Sequence, residues 1–550
     1  MNKFLLFNIF VLYCCELIGQ TINTDSVIQK HSQYLYQGRE KPTHESKLKG
    51  TINKYNEWFD VTHYRLDLAP ALAEKKLSGS VTISYTVKGN TSMDTLLLNL
   101  HRNFGIERIA DENQKQLAYR RTGDFIYVYV PDKHNHSLTV HYSGTPVVAK
   151  KPPWDGGFVW DSYTDNTGKR IPWVGVACEG IGASTWWPCK DHPSDEPDSV
   201  TISVQTPDTL FCKANGRLFS VTKSNGTKTY TWKVQNKINL YNVTINIAKY
   251  YEIQDTIQGI KGPLNCTYYI LQQPTKQLQD FFHTEASRYI HFMEKTFGAY
   301  PFYSDGYSLV QTKYWGMEHQ SAIAYGNNFQ RNEFGFDFII VHETGHEWFG
   351  NSVSTDDHAG LWIHESFTTY TEALFVEYYQ GRKKAEEYLA SQRKYIKNGE
   401  SMLGIPNSAF NAWKTSDIYY KGTWALHTLR TLVDNDAVWF GWLRSLYETH
   451  KYSEISTSKI LDYFDKLPIP YAKALMLEYL INPEVISIQE TREKSGSLYL
   501  STIIDYDFSG MLSHLYAKQP VKKVSANTYV FQQNKISKSA SAKNILIDLK

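Results

Sequence analysis

Cysteine is scarce in this chain, six in 550 residues, and neither sign of charge dominates, the formal net charge being +2. The cysteine spacings fit no zinc ribbon. The charge balance removes any global electrostatic case for nucleic acid or an acidic membrane surface as a partner. Long apolar runs are missing as well. Beyond Cys15 nothing approaches the roughly 20 apolar residues that a membrane-spanning helix needs, so no transmembrane span is expected. No internal repeat or low-complexity tract stands out, Lys535 to Lys543 being a polar Ser/Lys-rich loop. With 42% hydrophobic and 21% charged residues the composition is that of a globular protein, not a disordered or fibrous one. Its length predicts roughly three or four domains. Aromatic residues are what it has in plenty: 14%, with 39 tyrosines and 14 tryptophans. Such a chain suits strand-rich domains and concave sites with polar-tipped aromatic walls.

The N-terminus runs Met1-Asn2-Lys3, then apolar from Phe4 to Cys15, broken only by Asn8 and closed by Glu16. A short positive head and so brief an apolar run resemble a secretory signal peptide, with cleavage near Gly19-Gln20. Secretion or a periplasmic location is therefore expected. Cys14 and Cys15 raise lipid anchoring, but Tyr13 and Cys14 make poor small-residue neighbours for such a site, so anchoring is the weaker expectation. Cys178, Cys189, Cys212 and Cys266 then remain, an even number that permits disulfides without demanding them. Acceptor motifs for N-glycosylation occur at Asn90, Asn135, Asn225, Asn242 and Asn265.

Period-two alternation marks Phe59 to Leu68, Val81 to Val87 and Phe125 to Val130, bounded by Gly, Asn, Asp and Pro turns, and predicts a largely antiparallel β domain. Near residue 275 the period changes to that of helices, with Lys276 to Phe297 a long one, followed by Thr369 to Tyr379, Lys383 to Lys397 and Thr423 to Val433. After Asn482-Pro483 alternation returns. The expected organisation is a signal peptide (1–19), a lead-in arm (20–50), an N-terminal β domain (51–252), a mostly helical catalytic domain (253–482) and a small C-terminal β domain (483–550).

The chemistry concentrates in Val341-His342-Glu343-Thr344-Gly345-His346-Glu347-Trp348-Phe349-Gly350-Asn351 and the following Trp362-Ile363-His364-Glu365-Ser366-Phe367. Two histidines four apart share one face of a helix. Glu343, rotated roughly 100° round the axis, reaches the metal site without being a ligand. In this H-E-x-x-H arrangement the histidines hold zinc and the glutamate is the general base. Glu365 completes a His2Glu set and leaves a fourth position open for catalysis. Gly345 is a poor helix residue, which points to close packing.

Three further stretches accompany the zinc helix: Trp315-Gly316-Met317-Glu318-His319, Asp417-Ile418-Tyr419-Tyr420-Lys421-Gly422, and Cys178-Glu179 with Trp187-Pro188-Cys189-Lys190-Asp191. In this combination the chain, from about residue 55 to 480, resembles the aminopeptidase N family of gluzincin zinc metallopeptidases. The family's zinc signature places eighteen residues between the second histidine and the glutamate, and residues 347 to 364 are the same gap. The resemblance implies a multidomain α+β fold: an N-terminal antiparallel β domain, a thermolysin-like catalytic domain and a small β-sandwich-like C-terminal domain. It implies one zinc ion per chain on His342, His346 and Glu365. It also implies that Glu318, with Trp315, Gly316 and Met317 beside it, binds the free α-amino group of a peptide. Glu179, nine positions before Pro188, becomes a second amine-binding group, and Tyr419 the donor to the tetrahedral intermediate, with neighbouring Tyr420 its rival. The exopeptidase motif departs from the family's, with Trp315 for its first glycine and His319 for its asparagine, and the family's tryptophan-leucine-asparagine-glutamate-glycine-phenylalanine stretch stands here as Trp362-Ile363-His364-Glu365-Ser366-Phe367.

The implied activity is that of a zinc-dependent aminopeptidase, releasing N-terminal residues from peptides by attack of zinc-activated water with Glu343 as base. Two carboxylates at 179 and 318 repel each other unless a cation lies between them, which selects for a charged amine. An endopeptidase would need neither. A non-catalytic zinc-binding protein would need neither Glu343 nor Tyr419. Glu372, seven residues after Glu365 and two helical turns along, is a candidate for orienting a zinc histidine. Larger relatives carry a helical C-terminal domain over the cleft, so a more open cleft, or one closed by a second subunit in a homo-oligomer, is expected here.

Overall fold

The alternation that begins at Phe59 becomes a thirteen-residue strand, Phe59–Ala71, whose inward side chains Phe59, Val61, Tyr64, Leu66 and Leu68 are buried. It is the centre of a seven-stranded sheet ordered Arg217–Ser224, Thr227–Val234, Ser199–Pro207, Phe59–Ala71, Lys76–Val87, Ser137–Gly144, Phe104–Asp111. Pairing there is antiparallel apart from Phe59–Ala71 with Ser199–Pro207, which run parallel with Leu66 opposite Ile202. Smaller sheets of four and three strands complete the N-terminal part. The computed structural model describes residues 42–481 except 90, 133–135, 410–412 and 470–471, together with Pro483 and the backbone of strands between 487 and 545. The expected signal peptide, the arm before residue 42 and the side chains of the C-terminal region lie outside the described residues. The backbone of that last region forms one five-stranded antiparallel meander, Ser487–Arg492 to Lys543–Ile545.

Helices α1 (His44–Lys49), α2 (Lys276–Thr296), α3 (Phe338–Gly345), α4 (Trp362–Gln380) and α5 (Arg382–Gln392) are followed by α6 (Asp417–Val433), α7 (Asp436–His450), α8 (Thr457–Phe464) and α9 (Ala472–Ile481). α2 starts where Thr275 accepts the Leu278 N–H, a side-chain N-cap. It lies on a five-stranded mixed sheet ordered Tyr251–Gly259, Gly262–Ile270, Tyr307–Gln311, Ile323–Tyr325, Gly316–Met317.

That sheet divides the molecule's two cores residue by residue. Tyr268, Ile270, Leu309, Ile323 and Tyr325 face the helices, while Tyr269, Val310, Met317 and Ala324 face the N-terminal sheets. The period-two alternation of strand side chains produces this division. Gly316–Met317 is its last strand, paired on one side only, and it borders the metal site. The multidomain α+β architecture expected from the sequence is the one found. Cys178, Cys189, Cys212 and Cys266 are buried free thiols. Among the described residues no helix is long and apolar enough to cross a membrane.

Candidate active site

α3 is short and buried from Ile339 to Gly345. Asp337 caps it by accepting the Ile340 N–H, and Asp337 is itself held by the Tyr325 hydroxyl (2.7 Å). The helix ends at Gly345, and His346 is its C-cap in helical conformation, its N–H directed to the His342 carbonyl. The i, i+4 geometry therefore survives to the last residue, and both imidazoles face one point. α4 crosses α3 and brings Glu365 to the same point. His342 Nε2 and His346 Nε2 are 3.2 Å apart, and Glu365 Oε2 lies 3.5 and 3.6 Å from them.

The remaining ring nitrogens fix the tautomers. His342 Nδ1 donates to Glu372 Oε1 (2.7 Å), and His346 Nδ1 donates to the Phe349 carbonyl (3.0 Å). Each ring then carries a proton on Nδ1 and turns Nε2 to the common point. Burial lowers the His342 pKa, but the Glu365 and Glu372 carboxylates facing the ring outweigh it and the net shift is well upward. A metal there takes the place of an Nε2 proton. Burial pushes the His346 imidazole down to about 3, which keeps its Nε2 lone pair free. The two Nε2 atoms and a buried Glu365 oxygen without a hydrogen-bond partner thus converge on one spot. Tetrahedral zinc with ligand bonds near 2.1 Å separates its donors by about 3.4 Å, and these three donors fit that separation. Glu372, the orienting candidate, is secured by the Tyr388 hydroxyl (2.5 Å) and Gln392 Nε2 (3.0 Å), both from α5.

Glu343 is buried beside the donors, and the space for its carboxylate is made by Gly316. A Cβ at 316 would lie 2.3 Å from Glu343 Oε1. Burial is the largest cause of a raised Glu343 pKa, which makes it a stronger base. Glu318 accepts the Tyr241 hydroxyl (2.8 Å), and burial with Glu365 nearby pushes it up to about 7. Glu179 has a buried oxygen without a partner, and its carboxylate lies within 4.8 Å of donor atoms on Glu318 and Glu365. Burial and then the Glu318 charge raise its pKa too. The Tyr419 ring stands 6.0 Å from the His342 ring, whereas Tyr420 turns to Tyr395 at 5.1 Å. Trp315 is 45% exposed and stacks on Phe338, which stacks on His342. Met317 buries its side chain in the core shared with the N-terminal sheets.

All the candidate residues except Met317's side chain therefore gather at or beside one centre. Tyr241 and the buried His364 were not singled out from the sequence. One tyrosine among 39 gives no signal, and His364 was visible only as a departure from the motif. These two, with Glu179, form part of the wall of a cavity of about 50 Å³ that also touches Asp191, His358 and Trp413.

Residues 60–241 match the peptidase M1 N-terminal domain, and residues 283–480 match the peptidase family M1 domain. The chain belongs to the peptidase M1 family. Similar M1 sequences include leukotriene A-4 hydrolase of Xenopus laevis, 22% identical over 75% of this chain and 70% of that protein. Aminopeptidase N of Lactobacillus delbrueckii subsp. lactis is 20% identical over 75% of this chain and 49% of that protein. The chain thus spans about half the length of several of the relatives it matches. Among solved structures, a mutant M1 zinc metallopeptidase of Deinococcus radiodurans bound to Tyr-Ser-Ala superposes with a TM-score of 0.65 at 21% identity. The match covers 80% of this chain and 98% of that one. Leukotriene A4 hydrolase of Saccharomyces cerevisiae gives 0.64 at 19%, covering 83% and 72%. At these identities the superpositions establish the fold. The family is one of zinc metallopeptidases, and one zinc ion fits the three donors of this M1 chain.

Proposed function

We propose that the protein is a zinc-dependent aminopeptidase that removes residues one at a time from peptides with a free N-terminus. The observation that carries this reading is the pair Glu179 and Glu318. Their carboxylates lie with Glu365 in one cluster, Glu318 and Glu365 buried and Glu179 half-buried, and a Glu179 oxygen shut off from solvent has no partner. A buried carboxylate pair is stabilised by a cation between its members, and a substrate ammonium supplies one. Held there, the chain end fixes which peptide bond faces the metal donors.

Zinc on His342, His346 and Glu365 would supply Lewis-acid polarisation of the scissile carbonyl and of water. Glu343 takes the proton of the attacking water and returns it to the leaving amine. Tyr419 donates its phenolic proton in a hydrogen bond to the developing oxyanion, a contribution of roughly 3–4 kcal/mol for a preorganised donor. Gly316 keeps room for Glu343 beside the reacting bond.

Export belongs to the same proposal, on the strength of Phe4 to Cys15, and N-terminal sequencing of the mature protein tests it. A homo-oligomer that narrows the cleft is tested by the mass in solution. The central experiment is a fluorogenic panel of aminoacyl arylamides, with and without chelator and added zinc. Chelator-sensitive hydrolysis is expected, lost in Glu343→Gln and weakened through KM in Glu318→Ala. Equal cleavage of N-acetylated and free-amine substrates would instead indicate an endopeptidase, and no hydrolysis across the panel a zinc-binding protein.

A further inference from the structure

The hydrogen bonds around Glu318 continue away from the metal donors in one direction. Tyr241 Oη lies 2.8 Å from Glu318 Oε1 and 3.3 Å from His364 Nδ1. The opposite ring nitrogen, His364 Nε2, accepts the backbone N–H of Thr355 at 3.0 Å. Thr355 closes the short strand Val353–Thr355. The Tyr241 and His364 rings also stack, with centroids 6.4 Å apart and planes at 27°. His364 is 1% exposed.

Donor and acceptor counting fixes every proton in this chain of groups. A backbone N–H can only donate, so His364 Nε2 must offer its lone pair. The ring proton is then on Nδ1, and it points at Tyr241 Oη. The phenol cannot donate back to a nitrogen that already carries hydrogen. Its own proton is therefore directed to Glu318 Oε1. An immobile backbone amide thus decides, through two side chains, which way a hydroxyl points.

We propose that Tyr241 and His364 are positioning residues that lock the Glu318 carboxylate in the orientation needed to receive a substrate's α-ammonium. This rests on the aminopeptidase reading above. With Oε1 held by Tyr241, the carboxylate cannot rotate, and its other oxygen stays turned to the incoming amine. Preorganisation of this kind lowers the cost of binding a charged end. His364 stands where the family motif has asparagine. An asparagine amide can occupy the place of Nδ1 and still donate to Tyr241. It lacks the far nitrogen that takes the Thr355 N–H, so the anchor to the strand needs the histidine.

The test uses the zinc-loaded full chain and the best arylamide of the panel. Binding is read by calorimetry with the amino alcohol bearing the same side chain, against its N-acetyl derivative. Tyr241→Phe and His364→Leu are expected to weaken amino-alcohol binding about tenfold, the scale of one hydrogen bond to a charged group, with KM rising more than kcat falls. The N-acetyl derivative should bind the variants and the parent alike. His364→Asn should recover part of the loss. In a Glu318→Ala background, Tyr241→Phe should add nothing, because the group it positions is gone. Unchanged amino-alcohol affinity in Tyr241→Phe, an equal further loss in the Glu318→Ala background, or loss of bound zinc by atomic absorption in both Tyr241→Phe and His364→Asn would each overturn the relay. A parent protein that fails to distinguish the amino alcohol from its N-acetyl form would instead remove the aminopeptidase reading, and the relay with it.

Discussion

At position 345 helix propensity favours alanine over glycine by about 1 kcal/mol, and packing reverses that preference. A Cβ there would lie 2.7 Å from the Tyr289 hydroxyl, 2.9 Å from Thr368 Cγ2 and 3.2 Å from Thr371 Oγ1. The Tyr289 hydroxyl and Thr371 are themselves hydrogen-bonded at 2.5 Å, so neither can retreat freely. Thr368 donates to the same Phe349 carbonyl that receives the His346 Nδ1 proton. Gly345→Ala should destabilise the fold by about 1–3 kcal/mol through overpacking, and zinc affinity should fall with it. Urea unfolding and zinc competition read the two effects, and a stabilised variant would refute the packing account. His319 presents the opposite case, a buried ring with a partner on neither nitrogen. Burial pushes it down to about 3, far below the unfolded value near 6.5. The unfolded state therefore binds the extra proton first, and stability is lost as pH falls from about 6.5 toward 3. By pH 5 this one group costs about 2 kcal/mol. His319→Asn should lose about that much less stability between pH 7 and pH 5 than the parent does. Equal losses in denaturant titrations at the two pH values would contradict the assignment.

The elements differ in how much of them the sequence discloses. α2 is amphipathic and capped, and its observed span, Lys276–Thr296, departs from the periodicity reading by one residue at its end. α4 begins at Trp362, seven residues before the periodic stretch from Thr369, because it is buried on every face as far as Val376. A helix without a polar side has no hydrophobic stripe to read, so the turn that carries Glu365 was legible through its chemistry and not its pattern. α6 likewise starts at Asp417, ahead of Thr423, with Gly422 inside it. There a Cβ would lie 1.8 Å from Ser366 Oγ. Seven-residue spacing did place Glu372 on the Glu365 face, but its partners Tyr388 and Gln392 come from another helix and leave no trace in spacing. Those partners make Glu372 the link between α4, α5 and the metal site. Glu372→Ala should raise the zinc dissociation constant about 10–100-fold, measured by competition with a chromophoric chelator. Tyr388→Phe, which removes one support and keeps the carboxylate, should cost less. An unaltered zinc affinity in Glu372→Ala would mean that the His342 ring is held by packing alone.

At the scale of the whole molecule the catalytic sheet packs Tyr269, Val310, Met317 and Ala324 into the N-terminal core, and polar contacts run beside them: Asn215 Nδ2 to the Gln320 carbonyl, Asn239 Nδ2 to the Gly350 carbonyl, Asn242 Nδ2 to Asn351 Oδ1. The segment expected to be an unpatterned arm adds a further tie across this junction. α1 holds residues 44–49, capped by Thr43, with no side chain fully buried, which is why periodicity gave no sign of it. Its Ser46 carbonyl accepts the Ala409 N–H on the catalytic side. On the other side Lys49 reaches the Ile181 carbonyl (2.9 Å) and Asp191 (2.6 Å). Asp191 is 5% exposed and also accepts the Ser184 N–H, so it is a buried charge in need of its cation. Glu45 pairs with Arg102 at 2.6 Å, but both of those side chains are half in water. Burial sets the two pairs apart by a predictable amount. Removing one partner of a buried pair costs about 3–5 kcal/mol because the other charge is stranded, whereas an exposed pair is worth under about 1 kcal/mol. Burial raises the Asp191 pKa, but Lys49 and the Ser184 hydrogen bonds outweigh it, and the net shift is downward. Its stabilisation is therefore present above the unfolded carboxylate pKa and lost as pH falls through the lower folded value, so the comparison belongs at pH 7. There Lys49→Ala should lower unfolding stability by at least about 2 kcal/mol more than Glu45→Ala, and should expose the 44–51 segment to limited proteolysis. If the two variants unfold at the same denaturant concentration, α1 lies on the molecule without tying its halves together.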